Sequence, residues 1–360
     1  MPTDDGFVFD KKLDAAINNA RLFSIVVGSI SALFPLSVVM ILFQRYTSLV
    51  RGKSMVHYVM MIAIADTATA ITIAFGFPGP GPLCTAQGFL NFFFSRMSWF
   101  FTDVLIFQLF YIVVFKKYFL NVRYMHYIVW FVNILLQLLP FTTGTRYGFD
   151  DGADDSERFV INNLACGLGP GKSSYTLSLT WSQYVFNIEL LISFFVIVIL
   201  SATVVFYCLR MKSITTSHLY LAQRIRESWS IMILYPCAMI IAWVPGTIYA
   251  YHANYLINSG KELTYDNFVI ANYLNAINAL YGPFLTLIFY TKTLDARRAW
   301  ILNFRQLYNF ITNSKVDEDE VEIRISCTSI ISIHDIEVAT NTSITSINPI
   351  SSDLTRIDDL

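Results

Sequence analysis

The chain alternates between long apolar runs and short polar links. A helix needs roughly 20 mostly apolar residues to cross a membrane core about 30 Å thick. Seven stretches meet that length. Leu22–Phe43 carries no charge, and Tyr58–Phe77 carries only Asp66. Cys84–Phe115 holds Arg96 and Asp103, and Met125–Gly144 holds only His126. Trp181–Leu209 carries Glu189, while Ser228–Tyr251 and Phe268–Tyr290 are uncharged. Past the last run, Leu294, Ile301, Phe304, Tyr308 and Ile311 stand against Arg298, Arg305 and Asn309. That spacing predicts an amphipathic helix on the inner leaflet. The expected fold is therefore all-α: an integral membrane seven-transmembrane helix bundle with an amphipathic eighth helix. The expected parts are a short extracellular N-terminus (1–21), the bundle (22–290), the surface helix (291–312) and a cytoplasmic Ser/Thr-rich acidic tail, mostly disordered (313–360).

Composition excludes the soluble classes. Hydrophobic residues make up 55% and charged residues 14% of 360, with a mean hydropathy of +0.51. A soluble domain carries about a quarter charged residues. Five cysteines are too sparse for a disulfide scaffold. The net charge of −1 gives no basic field for nucleic acid.

Basic residues set the orientation. With the N-terminus outside, the inner segments hold 15 Lys and Arg and the outer segments 7. The positive-inside rule then predicts an extracellular N-terminus and a cytoplasmic C-terminus, in the cell membrane. Residues 1–21 contain no apolar core, so the first span is expected to direct insertion itself. An N-terminal segment this short cannot fold into a ligand-binding domain, so a ligand would be caught by the bundle and its loops.

Four charges lie within the runs: Asp66, Arg96, Asp103 and Glu189. Each costs about 2.5–3.5 kcal/mol to insert at mid-membrane. Arg96, Trp99 and Asp103 share one face of span 3, which is expected to point inward. It would form a polar pocket or switch, or a structural ion pair that fixes packing. Three carboxylates against one arginine leave an excess negative charge, so at least one carboxyl is expected to be protonated or to face a bound cation. Span 7 places Asn272, Asn275 and Asn278 at every third position, as pocket residues or as a packing seam. Span 6 contains Pro236 and Pro245, which bend a helix, with Trp243 just before the second bend. A bent helix beside a large ring is a candidate moving part. Cys84 at the outer end of span 3 and Cys166 in the outer loop both face the oxidising side, joined as a disulfide or left as two thiols.

No HExxH, GxSxG or GxxxxGKS motif is present, and the five histidines are scattered. We expect no enzyme, no metal and no cofactor. A retinal Schiff base would need a lysine within Phe268–Tyr290, and there is none.

Seven spans, an outer N-terminus and a cysteine at the head of span 3 resemble a G-protein-coupled receptor. The details resemble the cyclic-AMP receptor-like family of slime moulds and other microbial eukaryotes. The residues that carry this are Asp66, Cys84 and Trp99, then Arg224-Ile-Arg226, Tyr235-Pro236 and Trp243-Val-Pro245-Gly-Thr-Ile248, then Tyr281-Gly-Pro283 and the basic, Trp-containing helix that follows. The resemblance runs from about Leu22 to Phe310. Adhesion and secretin receptors are the nearest alternative branch. Span 3 ends in Phe115-Lys116-Lys117-Tyr118 rather than an acidic-Arg-Tyr triplet, and no Asn-Pro-x-x-Tyr closes span 7. The family's anionic ligand does not carry over: the outer surface holds 7 bases and 11 acids, a field that repels anions. Arg96 could still bind a phosphate locally, and a neutral or cationic ligand fits equally well.

The resemblance implies a heterotrimeric G protein as partner, with Arg123, Arg224 and Arg226 lining its cleft when span 6 moves outward. Before the tail, the inner segments hold 15 bases against Glu227 and Asp295, which suits anionic lipid and an acidic partner. In the tail, Ser326, Thr328, Ser329, Thr342, Ser343, Thr345 and Ser346 are candidate phosphorylation sites for a kinase, read by an arrestin-like adaptor. The rival function is an ion channel or transporter that uses Asp66, Asp103 and Glu189 as its path.

Overall fold

The computed structural model describes residues 4–44, 54–76, 78, 81–115, 121–143, 146–147, 168–169, 188–214, 234–235, 237–249, 251–252, 255, 270, 273–274, 277–292, 297–302 and 305. Contacts group Met1–Leu302 as one unit and Asn303–Leu360 as another. Of the second unit, only Arg305 is described.

The first unit is a helical membrane bundle. Among the described residues its helices include α1 (Asp4–Gln44), α2 (Ser54–Ala74), α3 (Pro82–Phe115), α4 (Val122–Leu138), α5 (Ile188–Ile214), α6 (Cys237–Tyr249) and α7 (Tyr281–Lys292). The first five are long and apolar enough to cross a membrane. The chain is a multi-pass membrane protein. Large apolar side chains such as Leu33, Phe131 and Ile199 stay exposed on α1, α4 and α5. In a bilayer that surface meets lipid, which carries no hydrophobic penalty.

Two local features depart from the sequence expectation. Helix α1 has 41 residues, about 60 Å at 1.5 Å each, and only Arg21–Gln44 forms its apolar crossing segment. The 1–21 segment is thus helical from Asp4 and continuous with the span. Its alanines favour that state, and no proline interrupts it. The second departure is a short antiparallel ladder in the segment between α4 and α5. Arg146–Tyr147 (β1) pairs with Leu168–Gly169 (β2), with Tyr147 opposite Leu168.

Helix α3 is central and packs on α2, α4, α5 and β1. Helices α1 and α2 lie close because Gly28 has no side chain. A Cβ there would fall 2.8 Å from the Ala74 nitrogen and 3.0 Å from the Ala70 carbonyl. Helix α4 starts at Asn121, whose side chain accepts the Arg123 N–H at 3.1 Å. It ends in a 3₁₀ turn, Leu139–Thr143, where Pro140 has no N–H to continue the helix. The main core joins Met97, Phe101 and Ile106 of α3 to Ile197 of α5 and Met239 of α6. A second cluster joins Val38 and Leu42 of α1 to Phe289, Tyr290 and Ala299. There Tyr290 shares a hydrogen bond with Ser37 at 2.9 Å and lies 5.3 Å from the Trp300 ring.

Candidate functional site

Helix α3 carries polar residues on two sides, and each side meets different helices. Toward α2 runs a ladder. Gln87 donates to the carbonyls of Thr72 and Gly76. Thr72 donates to Asn91 at 3.2 Å, and Ser95 to Thr69 at 3.5 Å. Ser98 donates to Asp66 Oδ1 at 2.6 Å. These α3 positions recur every three or four residues, so they share one helical face. Thr102, one turn further, donates to the Ser98 carbonyl and shares a hydrogen bond with the Tyr281 hydroxyl of α7 at 3.2 Å.

Asp66 is 7% exposed, and its Oδ2 has no hydrogen-bond partner among the described residues. Beside it lies a cavity of about 10 Å³, lined by Pro35, Asp66, Tyr235, Gly282 and Thr286 among others. That is room for about one water-sized particle. Gly282 makes the space narrow: a Cβ there would meet Asp66 Cβ at 2.9 Å and Pro35 Cγ at 3.2 Å.

The other side of α3 faces α4 and α5. Arg96 is fully buried. Its Nε donates to Glu189 Oε2 at 2.7 Å. Its Nη1 donates to Gln137 Oε1 at 2.8 Å and Asn133 Oδ1 at 3.5 Å. Those amides in turn donate to α3 carbonyls, Gln137 to Phe89 at 2.8 Å and Asn133 to Phe93 at 3.0 Å. The guanidinium is thereby fixed between three helices. Asp103, two turns below, receives the Ser193 hydroxyl within 2.7 Å of both oxygens. Arg96 and Asp103 thus both turn toward α5, each to its own partner there, whereas Trp99, placed on the same face by its spacing, turns toward α6. Arg96 neutralises Glu189, which leaves Asp66 and Asp103 with hydroxyl donors in the described structure.

Trp99 points to α6. Its ring lies edge-on to Trp243, 4.7 Å between centroids and 88° between planes. Trp243 lies in turn 6.3 Å from Tyr281 at 72°. Both indoles are buried, and Pro245 is exposed two residues on. A Cβ on Gly246 would stand 3.2 Å from Asn278 Oδ1, so α6 closely approaches the segment that precedes α7. The structure thus brings Asp66, Trp99 and Trp243 together through Ser98, Thr102 and Tyr281, and Arg96 with Glu189.

Arg123 is exposed at the start of α4. Cys84 is fully buried and is not a free thiol. Asn272, Asn275, Pro236, Cys166, Arg224, Arg226 and the seven tail Ser and Thr positions lie outside the described residues. Sequence reasoning missed Ser98, Asn133, Gln137, Tyr147 and Ser193. A signal existed for some of them: Asn133 and Gln137 are amides four apart in an apolar span, as Glu189 and Ser193 are four apart in α5. No group of His, Cys, Asp and Glu suited to a metal occurs among the described residues.

No protein-family model matches the sequence, and no curated protein matches it. Among solved structures the chain is similar to squid rhodopsin, with a TM-score of 0.61 and 14% identity over 89% of this chain and 93% of the other. A likeness at that identity is one of fold. It defines the class of architecture as a rhodopsin-like bundle of membrane helices. It does not single out the cyclic-AMP receptor-like branch. Within this fold, Lys292 is exposed in the last turn of α7, and no lysine precedes it in Phe268–Tyr290.

Proposed function

We propose that this protein is a G-protein-coupled receptor that carries an extracellular small-molecule signal to a cytoplasmic heterotrimeric G protein. It has seven spans, an outer N-terminus and an inner C-terminus, a reading supported by the 15-to-7 bias of basic residues. The observation that carries it is Trp243 edge-on to Trp99 at 4.7 Å. This contact ties the proline-bearing α6 to the helix that holds the buried charges. Breaking or reforming it lets α6 move as a unit. An agonist acts by binding the moved state more tightly than the resting one.

Cys84 pairs with Cys166 and pins the outer loop. Arg123, Arg224 and Arg226 face the G protein, and the amphipathic eighth helix lies on the inner leaflet. The tail is regulated by a kinase and an adaptor, and the chain is not an enzyme. The ligand is neutral or cationic, because Glu189 already occupies Arg96 and the outer segments carry 7 bases against 11 acids. The same pairing weakens the ion-path alternative, since it removes one of its three carboxylates.

The test is guanine-nucleotide exchange in membranes that express the chain with a panel of heterotrimers. Exchange above a vector control, changed by Trp243→Ala, is the expected result. No exchange with any heterotrimer, together with ion flux through the purified protein in liposomes, would replace the receptor with a channel or transporter.

A further inference from the structure

We infer that Tyr147 and Gln137 are positioning residues, a strut through which the outer hairpin sets the geometry of the Arg96–Glu189 pair inside the membrane. Only the step from this pair to signalling rests on the receptor reading.

Tyr147 comes from the β1 strand, yet it is 1% exposed. Phe89, Phe92 and Phe141 surround its ring at 5.4, 5.9 and 5.5 Å. That packing sends the hydroxyl to the end of α4, where it donates to the Gln137 carbonyl at 3.0 Å. Late helical carbonyls lack helical partners. Here the residue three positions on is Pro140, which has no N–H to close a 3₁₀ bond on that carbonyl. The tyrosine hydroxyl takes that place. Burial pushes the phenol well above its ordinary range, so it remains a donor at any physiological pH.

The same residue continues the connection. The Gln137 side chain accepts from Arg96 at 2.8 Å and donates to the Phe89 carbonyl at 2.8 Å. Arg96 then reaches Glu189 on α5 at 2.7 Å. A displacement of the hairpin therefore moves the backbone of the residue whose amide aims the guanidinium. At its other edge β1 pairs with Leu168–Gly169, two residues past Cys166. The strut thus links the outer loop to α3, α4 and α5 by contacts that can be cut one at a time.

The experiment is a double-mutant cycle on the full-length protein in lipid nanodiscs, read by thermal melting. Tyr147→Phe removes the hydroxyl and keeps the ring. It is combined with Glu189→Gln, and separately with the charge-neutral pair Arg96→Gln/Glu189→Gln, which leaves no unpaired ion if the single variant fails to fold. Distant sites without a shared network add, whereas members of one network do not. The expected result is a melting shift from Tyr147→Phe that shrinks by at least half in either altered background. It should persist in full beside Ser193→Ala, which cuts the separate Asp103 contact. Full additivity with both Glu189 backgrounds would overturn the strut and leave Tyr147 as local packing. Nucleotide exchange in the same variants tests the receptor reading on its own: absent exchange in wild type together with ion flux in liposomes would remove that reading, while the melting cycle would still decide the strut.

Discussion

Ser98 donates its hydroxyl proton to Asp66 Oδ1 across 2.6 Å, and this joins α2 to α3 at mid-membrane. The carboxyl is 7% exposed, so water does not replace a lost donor. Leaving a buried acceptor unsatisfied costs about 1–3 kcal/mol. Ser98→Ala should therefore lower the melting temperature of the purified protein, and Ser98→Thr should recover most of the loss. A Ser98→Ala protein that melts with wild type would show that the hydroxyl does not hold the carboxyl.

Asp66 has no cationic partner among the described residues, its Oδ2 accepts no hydrogen bond from them, and the residue lines a small cavity. A monovalent cation there would stabilise the folded state by mass action, about 2.7 kcal/mol at a concentration 100 times its dissociation constant. We expect wild type to melt higher in sodium than in choline at equal ionic strength. Asp66→Asn should abolish that difference. An equal sodium effect in both proteins would place the ion elsewhere.

Gly282 allows α7 to press against α1 and α2. An added methyl would meet Asp66 Cβ at 2.9 Å and Pro35 Cγ at 3.2 Å, and both are held within packed helices. Overpacking of this kind costs about 1–3 kcal/mol. Gly282→Ala should lower the melting temperature, and the sodium response should change with it because the cavity shares that wall. A Gly282→Ala protein with both properties intact would mean that α7 shifts freely.

Much of this was legible in the sequence. The apolar run Cys84–Phe115 became a helix over nearly the same bounds, and Leu22–Phe43 became the crossing segment of a longer one, because a membrane leaves the backbone little choice but to bond to itself. The inward face of α3 was legible too, since Arg96 and Asp103 cannot face lipid cheaply. Pairing was not. Whether Arg96 meets Glu189 or Asp103 depends on the rotation and depth of α5 relative to α3, and neither sequence carries that information alone. Tyr147 was hidden for a different reason. It lies in a polar loop, where an aromatic residue gives no periodic signal, and only the hairpin turns it back onto α3. The helical 4–20 segment was missed because a search for apolar length does not detect an alanine-containing helix that continues past the membrane.

Trp99 and Trp243 form a T-shaped pair, an arrangement worth about 0.5–1.5 kcal/mol beyond area burial. Replacing each with Leu, singly and together, should give a coupling of that size in melting experiments. If the contact also holds α6 at rest, Trp99→Leu and Trp243→Leu should both change basal nucleotide exchange, and the double variant should add little to either. Independent effects on exchange would separate the stacking from the movement.

Arg96 is held by groups on two other helices, and its replacements should rank by how many of those they orphan. Glu189→Gln keeps an acceptor for the guanidinium but leaves a buried cation without a counter-charge. Arg96→Met leaves Glu189 uncompensated and also strips the donor from Gln137 and Asn133. Breaking a buried pair costs about 3–5 kcal/mol, and the 15% exposure of the Glu189 side chain places this one toward the lower end. Arg96→Lys should fare little better than Met, since a compact ammonium cannot span amides on α4 and a carboxylate on α5 together. The expected melting order is wild type, then Glu189→Gln, then Arg96→Lys, with Arg96→Met lowest. An Arg96→Lys protein as stable as wild type would show that charge alone matters there, and that the planar fork across three helices does not.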